Sequence, residues 1–521
     1  MKDISIGNKI FRITVLVGFL GLLSKILGLV RDMVLANKFG ATSNIFMDAY
    51  YAAIKAPNML FFIISGALAA VVVPVFVECV TKGEKKEAWD IFNRVFNGVT
   101  VLFIAIVAIG MIFSPYTVKL YALGLPYETA ALAADLARIL FPMVLFAGWA
   151  ALFTGLLNAN QVFGIPAFSS AVNNIVLIAG ILLFSSQYGI HGAAYATVVA
   201  MATMALIQAP VLYRVGYRYK PTWNFDHPGV RQVIILIMPA ALGFTAVQAY
   251  GVIETQFASY MSQGTIAVLN YANKLVQFPI GLFVVAMSIA AFPAISAMAA
   301  GGEKENYAST VNTLLRVAIL GMLPASVGLM VLSQPTINLF YLGGDFVVLD
   351  AEMTSKALFF YCIGLTGQAV NIILTKAFYA IQDTRTPVKI TLATVVANLG
   401  FSLILIRPLQ FAGLALANSL ASLIGTVLFL VLFHRKTGAL SWSGLARFIV
   451  PVAVAAALLA LTSSYVSAAV GLMGIAGKLG YMAQILAAAV AGMTVYAAAT
   501  YLGRVEEWQV MIRYIKRATG R

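Results

Sequence analysis

Charge is what this chain is short of. Asp, Glu, Lys and Arg make up 10% of its 521 residues, against roughly a quarter in an ordinary soluble domain. Apolar residues reach 61%. That balance excludes a soluble enzyme or a nucleic-acid-binding domain and defines a polytopic membrane protein. Cysteine is scarce too. Cys79 and Cys362 both fall in apolar stretches, which excludes a disulfide framework and any metal-ligand spacing. Histidine is limited to His191, His227 and His434, scattered near loops. There is no Ser-His-Asp arrangement, no phosphate-cradling glycine loop followed by Lys and Ser or Thr, and no Asp-rich cluster. The sequence therefore carries no sign of catalysis and no ATPase of its own. The N-terminus also lacks the short apolar core and small-residue cleavage site of a secretory leader, so its first apolar run is expected to be a retained span.

What is present is a series of long apolar runs. A spanning helix needs about 20 apolar residues, and by that rule about fourteen segments qualify, from 11–36 through 232–261 to 480–502. Cations collect in alternate loops, at Lys2 and Lys9, Lys82 to Lys86, Arg214 to Arg231, Lys304, Arg385, Arg435 and Lys436, and in the tail from Arg504. The opposite loops hold few cations, and 342–352 carries Asp345, Asp350 and Glu352. The net charge of +15 is thus the excess of cytoplasmic loops rather than a nucleic-acid signature. Both termini are expected in the cytoplasm, which agrees with an even number of spans.

The chain also repeats itself. Gln161, Pro166 and Gly192 recur as Gln382, Pro387 and Gly413, each 221 residues later, and Pro57 and Pro279 are 222 apart. Six spans per copy is an even number, so the two copies share one topology, a transporter signature with substrate held between the lobes. The expected fold class is an all-α polytopic membrane protein with two pseudo-symmetric six-helix lobes and two further C-terminal helices. The expected divisions are an N-lobe over 1–213, an inter-lobe loop over 214–231, a C-lobe over 232–440, two helices within 441–502 and a basic tail over 503–521.

Charges inside spans are expensive and mark function. The first span carries Lys25, Arg31 and Asp32. At 100° per residue these share an arc of about 140° with Gly18, Gly21 and Gly28, while most bulky residues lie outside it. Such a face suits a wet, cationic cavity that handles an anion. Lys274, following Tyr271-Ala272-Asn273, joins the candidates. Lys55, Lys356 and Lys376 read equally well as snorkelling cations near helix ends. Asp48 reads as a solvated loop charge or a gate partner, and Asp135 with Arg138 as an i, i+3 pair. Pro57, Pro142, Pro239, Pro279 and Pro293 interrupt apolar runs and read as hinges or static kinks.

Several runs then resemble one family. Ser24-Lys25-Ile-Leu-Gly28-Leu-Val-Arg31-Asp32, Phe39-Gly40-Ala41, Asp48-Ala49, Pro57-Asn58, Arg138-Ile-Leu-Phe-Pro142 and Asp226-His-Pro-Gly229 stand in its order, as do Leu269-Asn-Tyr-Ala-Asn-Lys274-Leu-Val-Gln-Phe-Pro279 and Phe378-Tyr-Ala-Ile-Gln-Asp383-Thr-Arg-Thr-Pro387. Over roughly 10–440 the chain is similar to the MurJ (MviN) lipid II flippases of the MOP exporter superfamily. The resemblance implies translocation of undecaprenyl-pyrophosphate-linked disaccharide-pentapeptide by alternating access in the bacterial inner membrane, with cell-wall synthesis and division proteins as further partners and no nucleic acid. It implies Lys25, Arg31 and Lys274 as pyrophosphate-binding residues and Asp48 as an acid near the outer gate; Asp32, Lys55 and Asn58 are expected beside them in the substrate site. Two of the three cations are Lys where many members have Arg, which keeps charge but weakens bidentate grip. Phe61, Phe62 and Ser65 stand where many members carry charges, so a less charged cavity is expected. No resident cofactor is implied, but a coupling cation, Na+ or another, is, at positions matching Glu254, Asn398, Ser402 and Asn418; Ser402 replaces an acidic type. The rival readings are a flippase for another polyprenyl-linked glycan and a MATE-like cation-coupled drug exporter.

Overall fold

The computed structural model describes residues 2–81, 85–223, 227–438, 442–505 and 507; the basic tail beyond 507, Lys82 and Asp226 lie outside them. The first eleven helices are α1 (Lys2–Phe39), α2 (Phe46–Thr81), α3 (Lys85–Ile112), α4 (Ser114–Tyr121), α5 (Tyr127–Leu140), α6 (Met143–Ala159), α7 (Gly164–Tyr188), α8 (Ile190–Leu206), α9 (Ala209–Arg214), α10 (Pro228–Ala258) and α11 (Thr265–Pro279). After a π turn at Ile280–Val284 come α12 (Val285–Ala300), α13 (Lys304–Val331), α14 (Ser333–Phe340), α15 (Val348–Ile363), α16 (Leu365–Ala380), α17 (Arg385–Leu409), α18 (Phe411–Thr437), α19 (Trp442–Leu472) and α20 (Gly477–Leu502). No strand forms among the described residues beyond an isolated bridge between Gly343 and Phe346.

Helices dominate for a physical reason. A chain in hydrocarbon must satisfy its backbone polar groups internally, and one helix does so without a partner. Ten helices among the described residues are long and apolar enough to cross a bilayer. Two bent pairs, α5 with α6 (42°) and α15 with α16 (46°), bring the number to 12. The other two expected spans, near 11–36 and 232–261, coincide with α1 and α10, parts of which lie outside the residues whose side chains are described.

The repeat is written into the helix ends. α2, α3 and α4 start at 46, 85 and 114, and their counterparts α11, α13 and α14 start at 265, 304 and 333, a shift of 219. α7 spans 164–188 and α17 spans 385–409, a shift of 221. The extra two residues enter between the fourth and fifth helix of each copy. Backbone angles follow. Gln161 and Gln382 both stand at φ 60°, each ending its helix with a 6→1 bond, Val162 N to Leu157 O at 2.8 Å and Asp383 N to Phe378 O at 3.0 Å. Gly192 and Gly413 are required for a shared reason. A Cβ there would stand 2.6 Å from Phe184 O or 2.3 Å from Leu405 O, where the preceding helix ends. One sequence-level pairing shifts. In the 219 register Pro74 matches Pro293 and Lys55 matches Lys274, so Pro57 and Pro279, 222 apart, are not equivalent. Pro279 is followed by the π turn, and the matching stretch of α2, Phe61–Ser65, stays α-helical.

The chain divides into two compact units, Met1–Ala267 and Val268–Arg521. In the first, α2 packs against α3, α5, α6 and α10, while α7 packs between α1 and α8. Its core joins Phe76, Phe92, Phe103, Phe153 and Leu156 to Tyr217 and Val230. By register α10 is the partner of α1, since they end at Ala258 and Phe39, yet it packs within the first unit. In the second unit α18 packs against α15, α16 and α17. α19 and α20 have no counterpart in the repeat. They pair with each other and lean on α13, where Leu320, Phe448, Val452 and Leu459 are buried and Tyr496 donates to Leu320 O at 2.8 Å.

Candidate functional site

Helix α1 places the first cluster. Its Gly18 and Gly21 face open space, and Lys25 is exposed beside them. One turn on, the face closes. Arg31 donates from Nε and Nη2 to one Asp32 oxygen, at 2.9 and 2.7 Å, and from Nη1 to Asn174 Oδ1 on α7 at 3.3 Å. Asn174 in turn donates to Ser24 O at 3.0 Å and to Ser170 O at 3.2 Å. Asp32 is 3% exposed, and a carboxylate that deep needs the cation it has. The arc expected to line one cavity is therefore split: Lys25 stands on the open part, and Arg31 is held by a carboxylate and an amide. Its guanidinium fork explains this, because one side chain can serve two acceptors at once. Tyr50 and Tyr51 of α2 lie within electrostatic range of Arg31, and Tyr50 shares a 2.8 Å hydroxyl bond with Thr197 of α8. α1 and α7 thus bond around one cation, with two tyrosines of α2 nearby.

Asp48, in the first turn of α2, has a different neighbourhood. It is 4% exposed. Gly264 N donates to its Oδ2 at 2.6 Å and Ala267 N to its Oδ1 at 2.9 Å. A carboxylate at a helix N-terminus satisfies amides that have no partner in the helix and meets the positive end of its dipole. Asp48 thereby fixes where α11 begins. Lys55, two turns along α2, brings its ammonium to within 2.7 Å of where a Cβ on Gly251 of α10 would stand. Gly251 makes that approach possible. Asn58 follows one turn later, half-buried. Phe61 and Phe62 pack ring to ring at 5.5 Å, and Phe62 is 54% exposed.

In the second unit, Lys274 is exposed on α11, at the repeat position of Lys55. Asn398 and Ser402 are buried one turn apart on one face of α17, and Asn418 is half-buried on α18, which packs against α17. These three offer only neutral oxygens, a donor chemistry suited to a monovalent ion. Glu254 sits on α10 in the first unit. No group of three or more His, Cys, Asp or Glu side chains gathers among the described residues. Asp135 and Arg138 bond to each other at 2.9 Å with both side chains half exposed, as their spacing suggests.

Sequence reasoning missed Asn174 as the partner of Arg31. The signal was available: Asn173-Asn174 interrupts an apolar run that a spanning helix would otherwise keep free of amides. It also missed two buried asparagines on α3. Asn93 accepts from Tyr217 Oη at 2.9 Å and Lys220 N at 3.0 Å and donates to Arg218 O at 3.1 Å. Asn97 donates to Lys220 O and Thr222 O at 3.2 and 3.0 Å. Together they clamp the segment after α9 onto α3.

Fold and site define a class: a polytopic, all-helical membrane transporter built on a parallel repeat, with cations set among its spans. A multidrug-resistance MATE transporter of the MOP superfamily, in an inward-facing conformation, has this fold at TM-score 0.68 and 16% identity, over 80% of this chain and 95% of its own. The family profile described as "Lipid II flippase MurJ" matches residues 35–505, and the chain belongs to that family. The probable lipid II flippase MurJ of Buchnera aphidicola subsp. Acyrthosiphon pisum is 31% identical over 426 residues, 81% of this chain and 83% of its own. The lipid II flippase MurJ of Burkholderia cenocepacia is 29% identical, over 87% and 89%. A solved structure described as lipid II flippase MurJ in an inward closed conformation superposes at TM-score 0.79 with 25% identity, covering 97% of this chain and all of that one.

Proposed function

We propose that this chain moves lipid II, the polyprenyl-pyrophosphate-linked peptidoglycan precursor, from the cytoplasmic to the outer leaflet of a bacterial inner membrane. Membership of the flippase family over residues 35–505 carries the reading. The protein is a transporter and not an enzyme. Lys25, Arg31 and Lys274 are proposed to meet the pyrophosphate, because fixed cations attract it strongly where water is scarce. Lys25 would act from the open face of α1 and Arg31 from its Asp32–Asn174 seat. Lys55 and Asn58 on α2 would stand beside them, while Asp32 and Asp48 would hold the framework. Alternating access follows if substrate binds one conformation better than the other, since a ligand shifts an equilibrium only through such a difference. A monovalent cation near Asn398, Ser402 and Asn418 would drive the return.

The test is depletion complementation. In a bacterium whose own lipid II flippase can be shut off, the chain should sustain growth. Lys25→Ala, Arg31→Ala and Lys274→Ala, at matched expression, should each lead to lysis. Lysis with well-expressed wild type would overturn the substrate; growth with all three variants would overturn the cation assignment.

A further inference from the structure

The first unit holds a cavity of about 380 Å³ that the transport reading does not use. That is the size of a small-molecule site, for which roughly 300–1,000 Å³ is usual. One wall is the α3 face Phe96–Thr100–Ile104, which descends about 12 Å at 1.5 Å per residue. The others are Trp149 and Phe153 of α6 and the aromatic segment Tyr213–Trp223. Val101 and Ile104, 50% and 53% exposed, leave the slot open sideways along a bilayer-spanning helix. The opposite end is closed by the segment that Asn93 and Asn97 clamp. That end is cationic. Arg218 donates from Nη1 to the carbonyls of Tyr213 and Tyr217, at 2.8 and 2.9 Å, and lies 5.8 Å from the Tyr213 ring centre. Its guanidinium is thereby tethered beside Tyr213 and Tyr217, two lining residues, and carries more N–H donors than those two bonds use. Among the described residues, no carboxylate lines the cavity.

We infer that this slot holds one acyl chain of an anionic phospholipid, with the lipid phosphate at Arg218. An apolar slot open to hydrocarbon at one end, with a tethered cation at the other, matches such a lipid in both shape and charge. Aromatic side chains at the polar end are the usual furniture of a membrane interface. A zwitterionic headgroup brings the same phosphate, but its own ammonium offsets the charge and weakens the pull of Arg218.

The full-length protein in detergent, examined by native mass spectrometry with phosphatidylglycerol and with phosphatidylcholine of identical chains, provides the test. Wild type should retain one phosphatidylglycerol preferentially. Val101→Trp, which fills the slot from its exposed edge, should lose that adduct at unchanged melting temperature, and Ile104→Trp repeats the test on the same wall if the first variant does not fold. Arg218→Gln should lower retention of phosphatidylglycerol about fivefold and that of phosphatidylcholine much less, the loss of one cation's pull on a lipid of net negative charge. Equal retention of both lipids by wild type, or a full adduct on both plugged variants, would overturn the proposal.

Discussion

Removing the Asp48 side chain would strand the Gly264 and Ala267 amides in a site 4% open to solvent at Asp48. A buried donor left unsatisfied costs about 1–3 kcal/mol. Asp48→Ala should therefore lower the melting temperature in detergent clearly, and Asp48→Asn, which keeps one acceptor oxygen, should fall between. An Asp48→Ala protein that melts with wild type would show that the tie carries no stability. The same residue marks the limit of sequence reading at this scale. Its type and position announced a charge worth a role, but the partners that hold it are backbone amides, which look alike in every sequence. Lys25 and the Asp135–Arg138 pair were legible because spacing along one helix settles which face a residue shares. Arg31 was legible as a cation within a span; its coupling to Asn174, 143 positions away, was not.

At the scale of the element, the repeat was legible from three pairs 221 apart, all in the later helices of each copy. Two residues inserted between the fourth and fifth helices set the earlier register at 219, so counting from Pro57 to Pro279 matched residues that hold different places. The glycine pair has a physical reason that can be tested against a control on the neighbouring helix. Gly413→Ala would put a Cβ 2.3 Å from a backbone oxygen, whereas a Cβ on Gly400 of α17 meets nothing within 4 Å. The first substitution should destabilise by about 1–3 kcal/mol through overpacking. The second should be neutral or gain up to about 1 kcal/mol from helix propensity. Thermal melts of the two variants separate close approach from chain entropy. A second element-scale device joins the start of α17 to the end of α18. Asp383 accepts from Thr386 N at 3.0 Å and Thr386 Oγ1 at 2.6 Å, and pairs with Lys436. Partial burial alone would raise its pKa, but the Lys436 and Thr386 bonds outweigh that and hold it at about 2. A carboxylate depressed in the fold contributes stability above its unfolded pKa of about 3.9 and loses it as pH falls towards the folded value. Wild type should thus shed more melting temperature than Asp383→Asn between about pH 4 and pH 2. Parallel curves would remove the pair from the stability account.

The whole molecule is organised by its shortage of charge, because each remaining charge is placed by the cost of burying it. Those outside the spans divide by side. Lys304 lies exposed at the start of α13, and Asp345 lies exposed between α14 and α15, the next connection of the chain to face the other way. The cation-rich set belongs in the cytoplasm if the positive-inside asymmetry governs insertion. Two cysteines simplify the check. Cys362 is fully buried, so Cys79→Ser leaves a background with no accessible thiol among the described residues. In that background Asp345→Cys should react with a membrane-impermeant maleimide on intact spheroplasts, and Lys304→Cys only after lysis. Reaction of Lys304→Cys on intact cells would invert the topology. It would also set the basic residues of the Arg214–Lys220 segment facing outward, where lipid II arrives rather than where it is made, and the direction of transport would have to be argued again from that geometry.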